Sequence, residues 1–264
     1  MVDLAAQTAV PVGSSRDDFM GFSPVPGQPG HAFASGHPET GGNLGIIRTE
    51  AGGKSWEHVS DGIGGPVDFH NMEVSRADAA VLYGITHDGA VQRSGDAGAS
   101  WALTGTAPDK LIDIATSTTT PDQIYAATEN GLFESRDAGA SWQSTLASTA
   151  PVSTVDMGAD GRLRAVQLGQ GLIDVDVASG NATIVAPEVP GGYLLNLFSD
   201  PCRSVAADGA VPGGGASSVG RRRLARGAGM TRLGSWLMAH GCWLRARAAV
   251  VRSAPAGCGP ARST

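Results

Sequence analysis

The chain has 264 residues, 38 of them glycine, few aromatic side chains and a net charge of −6. It is long enough for one large domain or two small ones, and no run of about 18 apolar residues predicts a transmembrane helix. Residues 1–210 hold all 25 acidic side chains and 10 basic ones, a net charge of −15, whereas residues 211–264 hold nine arginines and no acid. The acidic body argues against nucleic acid as a partner, because it would repel phosphates.

The N-terminal stretch MVDLAAQTAVPVG has neither the basic start nor the long apolar core of a signal peptide. It has the pattern of the two outer strands of a repeat unit whose inner strands are missing. The first full unit begins at DDFMGFSP, and later units begin at VDFHNMEV and KLIDIATS. Each unit is predicted as four short strands, because β-branched and aromatic residues dominate runs such as VLYGIT and QIYAAT.

Turn signals separate the strands within each unit. Asp88-Gly89 and Asn130-Gly131 are hairpin dipeptides for which we expect a positive φ at both central positions. GADG, at residues 158–161, has the same place in a fourth unit.

One eight-residue motif recurs before the last strand of three units. It reads TEAGGKSW, SGDAGASW and SRDAGASW, ending at Trp56, Trp101 and Trp142, with spacings of 45 and 41 residues. In the fourth unit the motif has decayed, with Ala178 and Thr183 at the Asp and Trp positions. A period of about 41 residues with four strands per unit predicts a β-propeller blade.

The motif has a structural explanation. Its Asp is expected to accept hydrogen bonds within a tight turn, the Gly at its fifth position to take a positive φ, and its Trp to bury a large surface against the blade. In the first copy Ala51 replaces the Asp, which removes those hydrogen bonds. The predicted structural residues are Ser94, Asp96, Gly98, Ser100 and Trp101, then Ser135, Asp137, Gly139, Ser141 and Trp142, and in the degraded copy Gly53, Ser55 and Trp56.

The sequence therefore predicts an all-β propeller in residues 1–210, with about four blades visible and partial blades at both ends. Residues 211–264 form a basic tail rich in Gly, Ala and Arg that follows no blade pattern. Two interpretations of this tail remain open: a genuine irregular or disordered segment, and unselected sequence produced by a change of reading frame.

The motif S-x-D-x-G-x-[ST]-W resembles the Asp-box, or BNR, repeat of sialidase, sortilin and photosystem-assembly-factor propellers. Over residues 1–200, DFMGF, ASGHP and DFHNMEV resemble a group of bacterial Asp-box proteins labelled glycosyl hydrolases. The resemblance implies a protein outside the cytoplasm, secreted or anchored to the envelope. The hydrolase label rests on the fold, and fold does not fix function.

A sialidase site requires three arginines, a Tyr–Glu pair and an acidic proton donor, and the complete set is not found. Other glycosidases need two carboxylates facing each other across a cleft. Asp18, Asp68 and Asp109 are the candidates, because each lies near the start of a predicted inner strand that would line the channel. The alternative is that each carboxylate satisfies a turn.

His37 and His70 lie in adjacent units and could converge on the propeller axis as metal ligands, with Asp68 or Met72 beside them. The alternative is a pair of hydrogen-bonded histidines near the channel, and no cofactor is expected. We therefore predict a monomeric binding or scaffold module for a protein or a carbohydrate. Glycoside hydrolysis and histidine-based metal binding are the alternatives.

Overall fold

A computed structural model describes residues 2–3, 8–9, 11–14, 16–187, 194–200, 231–239 and 242–252. All regular structure in these residues is β. Four sheets each contain four antiparallel strands that follow one another in chain order. We number these sheets as blades 1 to 4.

The strands have the following bounds. Blade 1 contains β3 (Asp18–Pro24), β4 (Ala32–His37), β5 (Ile46–Thr49) and β6 (Glu57–Ser60). Blade 2 contains β7 (Phe69–Val74), β8 (Leu82–Thr86), β9 (Ala90–Ser94) and β10 (Ala102–Thr106). Blade 3 contains β11 (Leu111–Thr116), β12 (Ile124–Thr128), β13 (Gly131–Ser135) and β14 (Gln143–Ser144). Blade 4 contains β15 (Val152–Met157), β16 (Leu163–Gln167), β17 (Gly171–Asp176) and β18 (Asn181–Ala186). Outside the blades lie β1 (Val2–Asp3), β2 (Thr8–Ala9), β19 (Leu194–Asp200), β20 (Thr231–Ala239) and β21 (Cys242–Arg252).

The first strands of successive blades contact one another in the order β3, β7, β11, β15 and β19. Each first strand is therefore the innermost strand of its blade, and the blades fan outward from a common axis. This arrangement is a β-propeller, as the repeat period predicts.

Three apolar clusters occupy the seams between successive blades. Phe33 and Met72 belong to the cluster between blades 1 and 2. Tyr83 and Ile114 belong to the next, and the cluster between blades 3 and 4 includes Val155. The core of the protein is thus a series of sheet-to-sheet interfaces rather than one central mass, so each blade is stabilised mainly by its neighbours.

The hairpin prediction is correct in place and wrong in turn type. Gly89 and Gly131 have φ values of +85° and +117°, but Asp88 and Asn130 are not in the left-handed region. Only the glycine therefore needs positive φ, as in turns where a glycine follows a type I turn. Gly161, in the fourth unit, has a φ of +75° and donates its N–H to the Gly158 carbonyl.

Two segments of the tail differ from the irregular structure that the sequence predicts there. β20 and β21 are antiparallel partners, and β21 also pairs in parallel with β19. Their sequences contain several β-formers, including Trp236, Trp243, Val250 and Val251, which favour an extended chain. The boundary at residue 210 remains a prediction. No helix in the described ranges is long and apolar enough to cross a membrane.

Candidate functional site

The repeated motif of blade 2 closes a turn at the outer part of the blade. Asp96 Oδ1 accepts hydrogen bonds from Ser94 Oγ at 2.8 Å and from the Ser100 N–H at 2.9 Å, and its Oδ2 accepts one from Ser100 Oγ at 2.6 Å. These bonds, led by that from the Ser100 hydroxyl, lower the pKa of Asp96 to about 2. Asp137 is held in the same way by Ser135 and Ser141. The carboxylates are thus committed to the turn.

Each motif also joins its blade to the preceding one. Trp101 Nε1 donates to Ser60 Oγ of blade 1 at 3.1 Å. Trp142 Nε1 donates to the Thr106 carbonyl of blade 2 at 2.9 Å. Gly98 and Gly139 have φ values of +85° and +90°, and Ala97 and Ala138 are also left-handed. The two alanines were not expected there, because alanine disfavours this region.

The two degraded copies keep part of the turn. In the first, Thr49 Oγ1 accepts the N–H groups of Ala51 and Gly53 at 3.1 and 3.0 Å, although Ala51 offers no carboxylate. In the fourth unit, Asp176 accepts the Ala178 N–H at 3.0 Å and the Ser179 hydroxyl at 2.8 Å. Asp176 thus supplies the carboxylate that the motif has two residues later, at the position of Ala178.

A cavity of about 620 Å³ lies among the inner strands. We call it the channel cavity. Its walls carry apolar side chains from all four blades, together with Leu197 of β19. Its ionisable side chains are His70, Glu73, Arg76, Asp113 and Asp156.

Arg76 and Asp156 form the shortest ion pair among the described side chains that line the channel cavity. Arg76 Nη2 lies 2.5 Å from Asp156 Oδ1, while its Nε lies 3.9 Å from Glu73 Oε1. Glu73 Oε2 accepts a hydrogen bond from Ser23 Oγ at 3.1 Å. Burial nevertheless raises the pKa of Glu73 to about 8, against the lowering effect of Arg76. Glu73 therefore keeps its proton at neutral pH.

Asp113 joins blades 3 and 4. Its Oδ1 accepts the N–H of Ile114 and its Oδ2 the N–H of Val155, both at 2.9 Å. Burial raises the pKa of Asp113 to about 7, despite the lowering effect of these two bonds. This carboxyl group therefore titrates near neutral pH inside the cavity.

Asp68 lies between two histidines beside the channel cavity. Its Oδ2 is 3.0 Å from His37 Nε2 and 3.0 Å from His70 Nε2. His37 Nδ1 lies 3.0 Å from the Gly42 carbonyl oxygen, which can only accept. Both ring nitrogens of His37 thus face acceptors, an arrangement that favours the protonated ring. The bond to Gly42, with further help from Asp68 and Asp18, raises the pKa of His37.

The structure brings only some of the sequence candidates together. Asp68, His37 and His70 form one cluster, and Asp18 pairs with His37 in the register of β3 and β4. Asp109 stands apart, because its carboxylate is bonded to the Asn130 side chain and the Lys110 N–H in a turn. Among the described residues, no group of three His, Cys, Asp or Glu side chains is arranged to hold a metal ion. Of the described arginines, only Arg76 lines the cavity.

Sequence reasoning missed Glu73, Asp113 and Asp156. Each lies inside a predicted inner strand, between apolar neighbours in MEV, IDI and VDM. A charge within an otherwise apolar strand was the available signal, because a carboxylate there must face either a partner or a solvent-filled cavity.

No protein-family model and no curated protein matches the chain. A GH74 xyloglucanase from Xanthomonas campestris is similar in structure, with 22% identity and a TM-score of 0.49, over 72% of this chain and 35% of the enzyme. YCF48 from Cyanidioschyzon merolae is similar with 15% identity and a TM-score of 0.48, over 69% of this chain and 60% of that protein. A YCF48 structure with a bound D1 peptide is similar with 15% identity and a TM-score of 0.46, over 63% of this chain and 54% of that protein. The chain thus spans about a third to three fifths of the length of these proteins.

Proposed function

We propose that this propeller is a binding module whose ligand enters the channel cavity. The observation that carries the proposal is the cavity itself: about 620 Å³, bordered by the inner strands of four blades, with ionisable groups among apolar walls. Concave, mainly apolar sites with a few placed polar groups are the usual form of a ligand site. The cavity is large enough for a small sugar or for one or two side chains of a peptide.

Its chemistry favours a ligand rich in hydroxyl groups. Protonated Glu73 can donate a hydrogen bond, Asp156 can accept one, and the side chain of Asn71 can do both. Met20, at the rim, is exposed and offers an apolar surface for the carbon face of a sugar ring. We therefore assign a carbohydrate as the ligand class. In keeping with the resemblance to exported Asp-box proteins, we place the module outside the cytoplasm.

Isothermal titration with a panel of neutral oligosaccharides tests this assignment. We expect at least one sugar to bind the unmodified protein and to bind Glu73→Gln similarly, because glutamine also donates and accepts. Glu73→Leu removes both capacities and should weaken binding at least tenfold. Glu57→Gln, on an exposed outer strand, is the matched control and should bind normally. Equal affinity of Glu73→Leu and the unmodified protein would exclude the channel cavity as the binding site.

A second candidate function, glycoside hydrolysis, is favoured by two carboxyl groups with different surroundings in one cavity. Burial raises the pKa of Glu73 to about 8, which suits a general acid, and Asp156, paired with Arg76, is the second carboxyl group that such a site requires. Hydrolysis predicts release of reducing sugar that Glu73→Gln abolishes without loss of binding. Asp68→Asn tests the other candidate carboxylate. Binding without turnover in every protein supports the non-catalytic module.

A further inference from the structure

The inner strand of each blade contains a β-bulge at the same place. In β7 the pairing with β8 shifts between Phe69 and Asn71, so His70 is the inserted residue. The inserted residues of the other three blades are Met20, Ile112 and Ser153. A bulge re-aims a side chain, and bulges are frequent beside functional sites. His70 lines the channel cavity and is the only ionisable residue of the four.

Two contacts hold the ring of His70. Its Nε2 lies 3.0 Å from Asp68 Oδ2. The ring of His87 packs beside it, with centroids 5.0 Å apart and planes inclined by 50°. The orientation of the His70 ring is thus defined by a polar contact and an aromatic neighbour.

Asp68 is committed to histidines rather than to a turn. Its Oδ2 lies 3.0 Å from His37 Nε2 as well as from His70 Nε2. Its Oδ1 is buried and forms no hydrogen bond with any described residue. His37 is itself anchored, since its Nδ1 lies 3.0 Å from the Gly42 carbonyl oxygen. The carboxylate is therefore held by blade 1 and directs Oδ2 at His70 of blade 2.

The contact with Asp68 fixes which nitrogen of His70 carries the proton. An ionised carboxylate only accepts hydrogen bonds, so Nε2 is the donor. In the neutral ring Nδ1 then keeps its lone pair and is an acceptor. Among the described residues, none donates a hydrogen bond to this nitrogen. The wall of the channel cavity therefore contains an oriented acceptor that the described part of the protein does not use.

We propose that His70 Nδ1 accepts a hydrogen bond from a free hydroxyl group of the carbohydrate in the channel cavity, and that Asp68 is the positioning residue that keeps this nitrogen unprotonated. The inference rests on the proposed function, because it assigns one contact within the same site. It also narrows the ligand class. A free hydroxyl group donates to Nδ1, whereas an O-methyl, O-acetyl or fluorine substituent cannot. The ligand is therefore an unsubstituted sugar where it meets blade 2.

The protonation of the ring is measured first, without any sugar. Nitrogen-15 NMR of the full chain with labelled histidine distinguishes protonated from unprotonated ring nitrogens, and the signals missing in His70→Gln assign those of His70. At about pH 8, well above the ordinary histidine pKa of about 6.5, we expect a slowly exchanging proton on Nε2 and none on Nδ1. Asp68→Leu should make the Nε2 proton exchange rapidly. Asp61→Leu, which removes the exposed partner of His58, is the matched control and should leave the His70 signals unchanged. A proton on Nδ1 of the unmodified protein overturns the proposal.

Two amide variants separate the acceptor from the contact with Asp68. The side-chain amide of glutamine reaches the place of Nε2 but offers nothing at Nδ1, whereas the amide oxygen of asparagine lies as many bonds from Cβ as Nδ1 does. Titration with the panel of neutral oligosaccharides should therefore show binding roughly tenfold weaker for His70→Gln, the loss of one hydrogen bond, and clearly smaller weakening for His70→Asn. His58→Gln should bind normally.

Modified sugars test the ligand side of the same contact. Each hydroxyl group of a sugar that binds is replaced in turn by hydrogen and by fluorine. At the hydroxyl group that meets His70, both replacements should weaken binding to the unmodified protein roughly tenfold and have little further effect on His70→Gln. Equal affinity of His70→Gln and the unmodified protein for a bound sugar overturns this inference and leaves the proposed function intact. Failure of every sugar to bind the unmodified protein overturns both.

Discussion

Arg76 and Asp156 form an ion pair between blades 2 and 4, which are separated by blade 3. Arg76 follows the inner strand of blade 2 and Asp156 belongs to the inner strand of blade 4, yet Nη2 and Oδ1 are 2.5 Å apart. The two side chains are 19% and 4% exposed, so the pair is largely removed from water. It ties together two blades that share no seam.

Removal of one partner of this pair should be costly, because the other charge stays buried without its counter-ion. We expect Asp156→Asn to lower the free energy of unfolding by about 3–5 kcal/mol in urea titrations. The double variant Arg76→Met, Asp156→Leu should recover part of that loss. Arg162→Met, which breaks an exposed pair with Asp174, should cost below about 1 kcal/mol. A loss no larger for Asp156→Asn than for Arg162→Met would refute a buried pair.

The pH dependence of stability should report on Glu73. Its folded pKa of about 8 exceeds the ordinary value of 4.5, so the folded state holds a proton that the unfolded chain releases in between. Stability therefore falls as pH rises from about 4.5 to about 8. Glu73→Gln should lessen this fall by on the order of 2–4 kcal/mol. Urea midpoints of both proteins at pH 5 and pH 8 measure this difference. Parallel pH profiles of the variant and the unmodified protein would contradict the prediction.

The titration of His37 should also change the stability of the protein in this pH range. Its pKa is raised, so the stabilisation it supplies is fully present below about pH 6.5 and is lost as pH rises through its folded pKa. His37→Gln should flatten that part of the melting-temperature profile. NMR titration of the His37 ring proton measures the pKa directly. His58→Gln, in an exposed pair with Asp61, is the control. A His37 pKa at or below the ordinary value would contradict the arrangement in which both ring nitrogens face an acceptor.

Alanine substitution of two glycines with positive φ separates the stability cost of backbone strain from that of steric crowding. Gly161→Ala meets no atom within 4 Å, so it should cost only the left-handed strain, about 1–2 kcal/mol. At Gly139 a methyl group would also lie 2.8 Å from Val91 Cγ1, in the seam between blades 2 and 3. Gly139→Ala should therefore cost about 1–3 kcal/mol more. Chemical denaturation of both variants measures the difference. Equal losses in the free energy of unfolding would show that the seam accommodates the methyl group without cost.

The degraded motif offers a gain of stability. Ala51→Asp would supply the carboxylate that Asp96 and Asp137 supply elsewhere, with Ser55 as the donor. We expect a rise of about 1 kcal/mol in the free energy of unfolding. Asp137→Ala should produce a loss of similar size. Should Ala51→Asp prove destabilising, Thr49 must hold this turn in a geometry that excludes a carboxylate.

Sequence predicts the blades well because period, strand pattern and turn residues are local signals. It also places Asp68, His37 and His70 near one another, since residues at the same point of adjacent repeats meet at the axis. It could not find the pairing of Arg76 with Asp156, because that contact depends on the curvature of blades 2 to 4 and no local pattern encodes curvature. Asp88 and Asn130 show a similar limit, because the dipeptide fixes the place of a turn while the strands decide its type.

The tryptophan bonds all point backward along the chain, from Trp101 to Ser60 and from Trp142 to Thr106. Blades 2 and 3 are consequently each joined to a neighbour that is synthesised earlier. These two seams can therefore form in chain order during synthesis.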